Sequence, residues 1–284
     1  MLSLYTATTI EQTAVLGGTT LPCIMTVVDD NYIPIGQYVV KVFGQKHIKQ
    51  YNPTKKEVFA NILAQEFDLS VPQAALILVK QPLINELNEN PNYQNIELKA
   101  GVYYGSRLIN NHTAYTKDLK ASYFDKDIME QVFAFDVLIR NFDRRRGKEG
   151  NNEKVEIGKP NVLLKDKEVY LIDHDLSLDI RKTYIEYKAI DSYRNVIDGV
   201  KGQHIFLPHL KKLNESNNFT FDWFIESLRL LDFAQLNSCN EQIDTLNKDP
   251  FEEPHNDFQP IVNYLEEIQK NSTDFQQLLK DLIA

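Results

Sequence analysis

Three residues in the middle of the chain have side chains suited to moving a phosphoryl group: Asp143, Asn161 and Asp173. An aspartate within hydrogen-bond reach of a hydroxyl can orient it or take its proton. An amide oxygen and a second carboxylate are the hard donors that Mg²⁺ accepts alongside phosphate oxygens. Asp143 follows FDVLIRNF, Asn161 follows Pro160, and Asp173 opens Asp173-His174-Asp175. His174 suits Mg²⁺ poorly and reads as a structural hydrogen-bonder. Asp175 is either a further ligand or a residue that fixes the loop. Each side chain also has a plainer reading: a loop aspartate capping a turn, turn chemistry at Pro160-Asn161, or charge collecting at a sheet rim.

The segments around these residues must bring them together. Val162-Leu163-Leu164 and Val169-Tyr170-Leu171-Ile172 read as two short apolar strands, joined by the polar turn Lys165-Asp166-Lys167-Glu168. Asn161 and Asp173 then bracket a hairpin and lie at one rim. Ahead of them, DKDIMEQVFAFDVLIR forms an amphipathic helix over 125–140 with Asp125 as a candidate cap. Residues 144–160 form a polar stretch that can loop outward at modest entropic cost and leave Asp143 near Asn161. Asn151 or Asn152 could instead be the amide ligand, although neither leads into a strand.

A second group lies near the N-terminus. Cys23–Val28 and Gln37–Phe43 read as strands, and Lys41 stands alone among Val39, Val40, Val42 and Phe43. Such a lysine either snorkels out at a sheet edge or meets a buried anion. Glu57 lies on the next helix, KKEVFANILAQEF, which has Thr54 as its expected N-cap and an apolar face at 58, 59, 62, 63 and 67. Pairing with Glu57 would aim Lys41 at phosphates; Glu66 is the weaker rival. The turn Gly17-Gly18-Thr19-Thr20 has little side chain, so backbone there can approach a ligand closely. A third strand is expected over Ala74–Val79.

The flanking segments say less. The segment QPLINELNENPNYQNIEL, rich in Asn, Glu and Pro within residues 80–99, reads as a connector between lobes or an exposed insertion. Tyr103 and Tyr104 either line a nucleotide pocket or form a half-buried turn. The last hundred residues read as helices over 220–235, 256–269 and 272–283, with Phe219, Phe221, Trp223 and Phe224 as core. His204 and His209 read as ordinary helix or loop residues.

The chain has 284 residues, 43% of them apolar and 25% charged, which is ample for a folded core. The net charge of −9 argues against a partner that is nucleic acid or an anionic membrane, since both call for clustered positive charge. Cys23 and Cys239 match no metal spacing and read as free thiols in a reducing compartment. No signal-peptide pattern and no run near the ~18 apolar residues of a membrane span is present, so a cytoplasmic location is expected.

In order along the chain, Lys41, Glu57, Asp143, Asn161 and Asp173 resemble the HipA-like kinase family, especially its shorter members. The resemblance rests on YVVKVFG, EVFANILAQEFDLSVPQAALI, IRNFDRRRGKEGNNEKVEIGKPNVLL and YLIDHDLSL, over roughly residues 15–180. It implies an α+β, two-lobed protein-kinase-like fold: a small β-rich N-lobe over 1–100 and a mostly helical C-lobe over 101–284. It implies ATP and Mg²⁺ as cofactors. Lys41 would contact the nucleotide phosphates with Glu57 as its partner, and Gly17, Gly18, Thr19 and Thr20 would lie over them. Asp143 would be the base, and Asn161 and Asp173 the Mg²⁺ ligands. The acceptor would be a Ser/Thr or other hydroxyl of a protein or small molecule, and an antitoxin-like protein would be a possible partner. Two other readings stand beside it: a catalytically inactive kinase-like binding module, and a metal hydrolase using Asp143, Asp173, His174 and Asp175.

Overall fold

The computed structural model describes residues 1–13, 20–114, 123–146, 159–180, 193, 198–199, 202–215, 219–247 and 258–284. Gly17, Gly18, Thr19, Asn151 and Asn152 lie outside the described residues. Two compact units form. The first takes in Met1–Asn61, Pro72–Asn110 and Ala234–His255, and the second Ile62–Val71, Asn111–Phe233 and Asn256–Ala284. The sequence reading divides the chain once, near residue 100, whereas these units interleave.

The first unit is built on a closed barrel of β1 (Leu4–Gln12), β2 (Cys23–Val28), β3 (Pro34–Val40), β5 (Gly101–Arg107) and β4 (Ala74–Val79), in that order. Neighbours run antiparallel except β1 and β4, which close the barrel in parallel with Leu4 opposite Leu76. Strand alternation puts Met25, Val27, Tyr38, Val40, Ile77 and Tyr103 into its core. Closure also explains Gly105. A Cβ there would come within 2.5 Å of the Ile77 side chain on the adjacent strand.

Helices α1 (Gln45–Tyr51) and α2 (Pro53–Glu66) follow β3. Asn52 separates them in the left-handed region at φ 45°. Helix α1 is absent from the sequence reading, and α2 starts one residue before Thr54, so Thr54 is helical rather than a cap. Nor is α2 simply amphipathic: residues 53–64 are buried all round, Thr54, Lys55, Lys56, Glu57 and Asn61 included. Asn61 Nδ2 donates to the Pro72 carbonyl at 3.0 Å, and Lys55 Nζ lies 2.5 Å from an Asp244 carboxylate oxygen. Residues 80–99 are a further correction. They form α3 (Gln81–Glu89) and a 3₁₀ turn, Pro91–Tyr93, and they send Leu83, Ile84, Leu87, Tyr93 and Leu98 into the core. The same spacing of 83, 84 and 87 marks one helical face, which the Asn and Pro content obscures.

In the second unit, α4 (Lys126–Leu138) buries Met129, Val132, Phe133, Phe135, Val137 and Leu138. Asp125 occupies its N-cap position without a side-chain capping bond. Phe67 stacks on Phe224 with ring centroids 4.3 Å apart, and Phe135 lies 6.1 Å from Phe67. The three-stranded sheet is β6 (Thr113–Ala114), β7 (Val162–Lys165) and β8 (Glu168–Leu171). Asp166 and Lys167 both take positive φ, the conformation of a two-residue hairpin turn. Helices at Leu207–Asn214, Asp222–Leu230, Phe258–Lys270 and Ser272–Ile283 complete this unit. Phe219, Phe221 and Phe224 are core as expected, but Trp223 is 56% exposed. Both cysteines are buried, and neither forms a disulfide among the described residues. No helix among the described residues is long and apolar enough to cross a membrane.

Candidate functional site

In the first unit, β3 ends at Val40, so Lys41 stands one residue past the strand rather than inside it. Its backbone N–H still reaches the Tyr104 carbonyl, at 3.2 Å, and holds the chain alongside β5. The Lys41 ammonium pairs with the Glu57 carboxylate, and both are almost fully buried. Glu57, not Glu66, is the partner; Glu66 is exposed. Helix α2 supplies the carboxylate because its residues 53–64 are all buried, which the apolar pattern alone did not reveal. Tyr103 and Tyr104 are buried in β5, with burial pushing the Tyr103 hydroxyl up to about 12. Thr20 lines a cavity of about 400 Å³ in this unit, together with Phe43, Gly44, His47 and Glu97.

A buried pair of this kind has a sharp consequence. Removing one partner strands the other charge in a poor solvent, which costs roughly 3–5 kcal/mol. Lys41→Met should therefore shift the urea midpoint strongly downwards, and a double variant Lys41→Met/Glu57→Gln should recover much of the loss. Equal stability of wild type and Lys41→Met would show that the pair contributes nothing.

The second unit holds the remaining candidates. The hairpin register pairs Val162 with Leu171, and Ile172 N–H donates to the Asn161 carbonyl at 3.1 Å. Asn161 and Asp173 thus sit at the open end of one hairpin, both at positive φ, 50° and 64°. The Asn161 amide Nδ2 is buried and has no hydrogen-bond partner among the described residues. A half-turn of this amide brings its oxygen to the same place, where a cation would be a suitable partner. With Asp173 and Asp175 following the second strand, the donor set is all hard oxygen and fits Mg²⁺.

Asp143 lies in the turn after α4. Its two oxygens face different cations: Arg145 Nη2 at 3.0 Å from Oδ1 and Lys159 Nζ at 3.4 Å from Oδ2. Arg145 N–H donates to the Lys159 carbonyl at 2.9 Å. The long polar stretch after Asp143 therefore leaves and rejoins the turn at neighbouring points, and Asp143 and Asn161 stay close despite the 17 residues between them.

Beneath this turn lies a network that sequence reasoning missed. Asp136, on α4 and fully buried, accepts from Arg144 Nε at 2.7 Å, His204 Nε2 at 2.8 Å and Asn141 Nδ2 at 2.9 Å. Arg144 continues to the Asn161 carbonyl through Nη1 and to His174 Nε2, 2.9 Å from Nη2. Since a guanidinium only donates, His174 Nε2 accepts and its proton sits on Nδ1. That nitrogen is not available to a metal, which removes one ligand from the hydrolase reading. At His204, Nδ1 accepts the Phe206 N–H at 3.2 Å, so Nε2 carries the proton given to Asp136. His204 is thus no ordinary loop residue. It has an acidic partner 68 positions away.

Burial, the largest influence on Asp136, works to raise its pKa. Arg144 and the His204 hydrogen bond work the other way and hold it below the usual carboxylate value. The signal for this residue was present in FAFDVL, an acid inside an apolar helical run. Lys41 shows the same anomaly in YVVKVF.

The HipA-like kinase family matches residues 13–191, more than half of the sequence. The chain belongs to the HipA-like kinase family. Among solved structures, this HipA-like kinase resembles the crystal structure of the Helicobacter pylori proinflammatory kinase CtkA. The identity is 12%, the TM-score 0.50, and the match covers 100% of this chain and 99% of that one. At that identity the likeness concerns the mixed α+β fold alone. The apo structure of a pseudokinase matches with 11% identity and a TM-score of 0.24, covering 92% of each chain. No curated protein matches.

Proposed function

We propose that this HipA-like kinase is an active ATP- and Mg²⁺-dependent phosphotransferase with a hydroxyl acceptor, on a protein or a small molecule. The observation that carries the reading is the placement of Asn161 and Asp173 at one hairpin end beside the Asp143 turn, with Arg144 bonded to the Asn161 carbonyl and facing His174. In the proposed two-lobed arrangement, the first unit acts as the N-lobe, with Lys41 oriented by Glu57 toward the nucleotide phosphates and the Gly17–Thr20 segment over them. Asp143 accepts the proton of the acceptor hydroxyl. Asn161 and Asp173 would hold Mg²⁺, which when bound supplies positive charge to the phosphate oxygens. Asp175 is a candidate for a further oxygen. A cytoplasmic location suits two cysteines that form no disulfide and an ATP-using enzyme.

The alternative, a nucleotide-binding module without turnover, shares the fold and differs in chemistry. Calorimetry of AMP-PNP binding with and without Mg²⁺, on wild type and Asp173→Asn, separates them. The reading expects Mg²⁺ to tighten wild-type binding at least tenfold and the variant to lose that gain. Binding indifferent to both Mg²⁺ and the substitution would leave the inactive module as the better account. Lys41→Ala is a poorer probe, because it disturbs a buried pair as well as the nucleotide.

A further inference from the structure

Arg144-Arg145-Arg146 is a run of three cations in a chain of net charge −9. Arg144 pairs with Asp136 and Arg145 with Asp143. Arg146 is half-buried and has no such acid among the described residues. Its backbone is nevertheless fixed. Arg146 N–H donates to the Gln203 carbonyl at 2.8 Å, and Ile205 N–H donates to the Arg144 carbonyl at 3.3 Å. Between them Arg145 and His204 pair as an antiparallel bridge. The turn that carries Asp143 therefore runs along residues 203–205, and the helix Leu207–Asn214 begins two residues later. Lys211 and Lys212 stand in its last turn, where cations suit the helix dipole. Only Lys212 shares a face with His209, three residues before it.

Arg146 and Lys212 both bear on His209. Burial first, and then these two cations, push its imidazole below the ordinary value. Positive charge thus gathers on the flank of the Asp143 turn, where an incoming anion would relieve the repulsion. Asp143 does not serve as that anion, because Arg145 and Lys159 already face its two oxygens. The two cations come from separate elements, a turn and a helix end, so they are not built to converge on a single phosphate. They suit carboxylates spaced along a chain, which rises about 3.3 Å per residue when extended.

We propose that the face formed by Arg146, His209 and Lys212 recognises the acceptor, and that this acceptor is an acidic peptide segment carrying the hydroxyl. The inference rests on the kinase reading above and gives it a substrate class. Arg146 and Lys212 pair with Asp or Glu side chains that flank the hydroxyl residue and bring it to the Asp143 turn. Each such pair is exposed and weak by itself, so selectivity comes from their number and from steering of the encounter. Arg146 lies three residues past the candidate base, which ties the recognised carboxylates to positions close to the hydroxyl in the acceptor sequence. A basic segment would meet repulsion at the same place. The nucleotide takes no part in this contact.

Two fluorescein-labelled serine peptides, one flanked by glutamates and one by lysines, test it by anisotropy with ADP and Mg²⁺ present. Wild type should bind the glutamate peptide about tenfold more tightly, and the preference should shrink as salt rises. Arg146→Glu/Lys212→Glu should erase the preference while AMP-PNP affinity and the urea midpoint stay close to wild type. Lys212→Ala, a milder change at an exposed position, should lose part of it. In a coupled ADP assay the glutamate peptide should have the higher kcat/KM, and the charge reversal should act chiefly on KM. Wild type that binds both peptides equally, or neither, overturns the proposal and leaves the kinase reading to its own AMP-PNP test. A preference that survives Arg146→Glu/Lys212→Glu lies elsewhere on the protein and overturns it too. Wild type that binds no nucleotide defeats the kinase reading, and this face then recognises no acceptor even where peptide binding persists.

Discussion

Asp136→Ala is expected to lower the free energy of unfolding by about 3–5 kcal/mol and to abolish phosphotransfer together. Truncation removes the single acceptor that satisfies Arg144 Nε, His204 Nε2 and Asn141 Nδ2 at 2.7–2.9 Å. Arg144 is almost fully buried, so its guanidinium would keep its charge in a place from which water is excluded. The same guanidinium holds the Asn161 carbonyl and faces His174, and both contacts depend on its orientation. Urea denaturation checks the stability, and ADP release checks the chemistry. A midpoint unchanged by Asp136→Ala would show that the network is incidental.

Acid provides an independent test of the same residue. The folded carboxyl is held below its ordinary value, which lies near 3.9 when unfolded. An acid with a lowered folded pKa contributes stability that is fully present above the unfolded value. That contribution is lost as pH falls from about 4 toward the lower folded value. The stability gap between wild type and Asp136→Asn should therefore be constant near neutrality and narrow only in that acidic window. A gap that instead widened with falling pH would reverse the assigned sign.

The second large effect is catalytic. Asp143→Asn should reduce turnover by about 10²–10⁴-fold while nucleotide affinity changes little. The amide keeps the shape of the carboxylate but cannot accept a proton, and it gives Arg145 and Lys159 a neutral partner. Because Lys159 is 45% exposed, water can take over much of its solvation, and the stability loss should be well below that of Asp136→Ala. Calorimetry with AMP-PNP and a coupled ADP assay read the two halves of the prediction. An Asp143→Asn protein with wild-type turnover would remove Asp143 from the chemistry. The contrast between Asp136 and Asp143 is the useful part: one variant should fail by losing its fold, the other while folded.

The hairpin Val162–Leu171 and the helix over Lys126–Leu138 were legible because their determinants are local. Two apolar runs around a polar turn, or a 3.6-residue apolar period, specify an element without help from distant chain. Lys41 was legible for a related reason: a charge inside an apolar run calls for a partner, and Glu57 was within one helix of it. Local pattern misled where packing overrode composition. The Asn- and Pro-rich residues 80–99 joined the core because Leu83, Ile84 and Leu87 share a helical face, and α2 was buried on every side although its apolar face covers only part of it.

What tertiary structure alone decided is the bracing of the site. Asp136 meets Arg144 at 8 residues' separation, His204 at 68, and Arg144 meets His174 at 30. No periodicity encodes such meetings; they exist because burying a charge is costly unless its hydrogen bonds are met, and only the folded chain brings the needed donors into reach. The sequence by itself determined which side chains could move a phosphoryl group. The fold determined which neighbours hold them: Arg144 behind the turn, and Arg145 and Lys159 on either oxygen of Asp143.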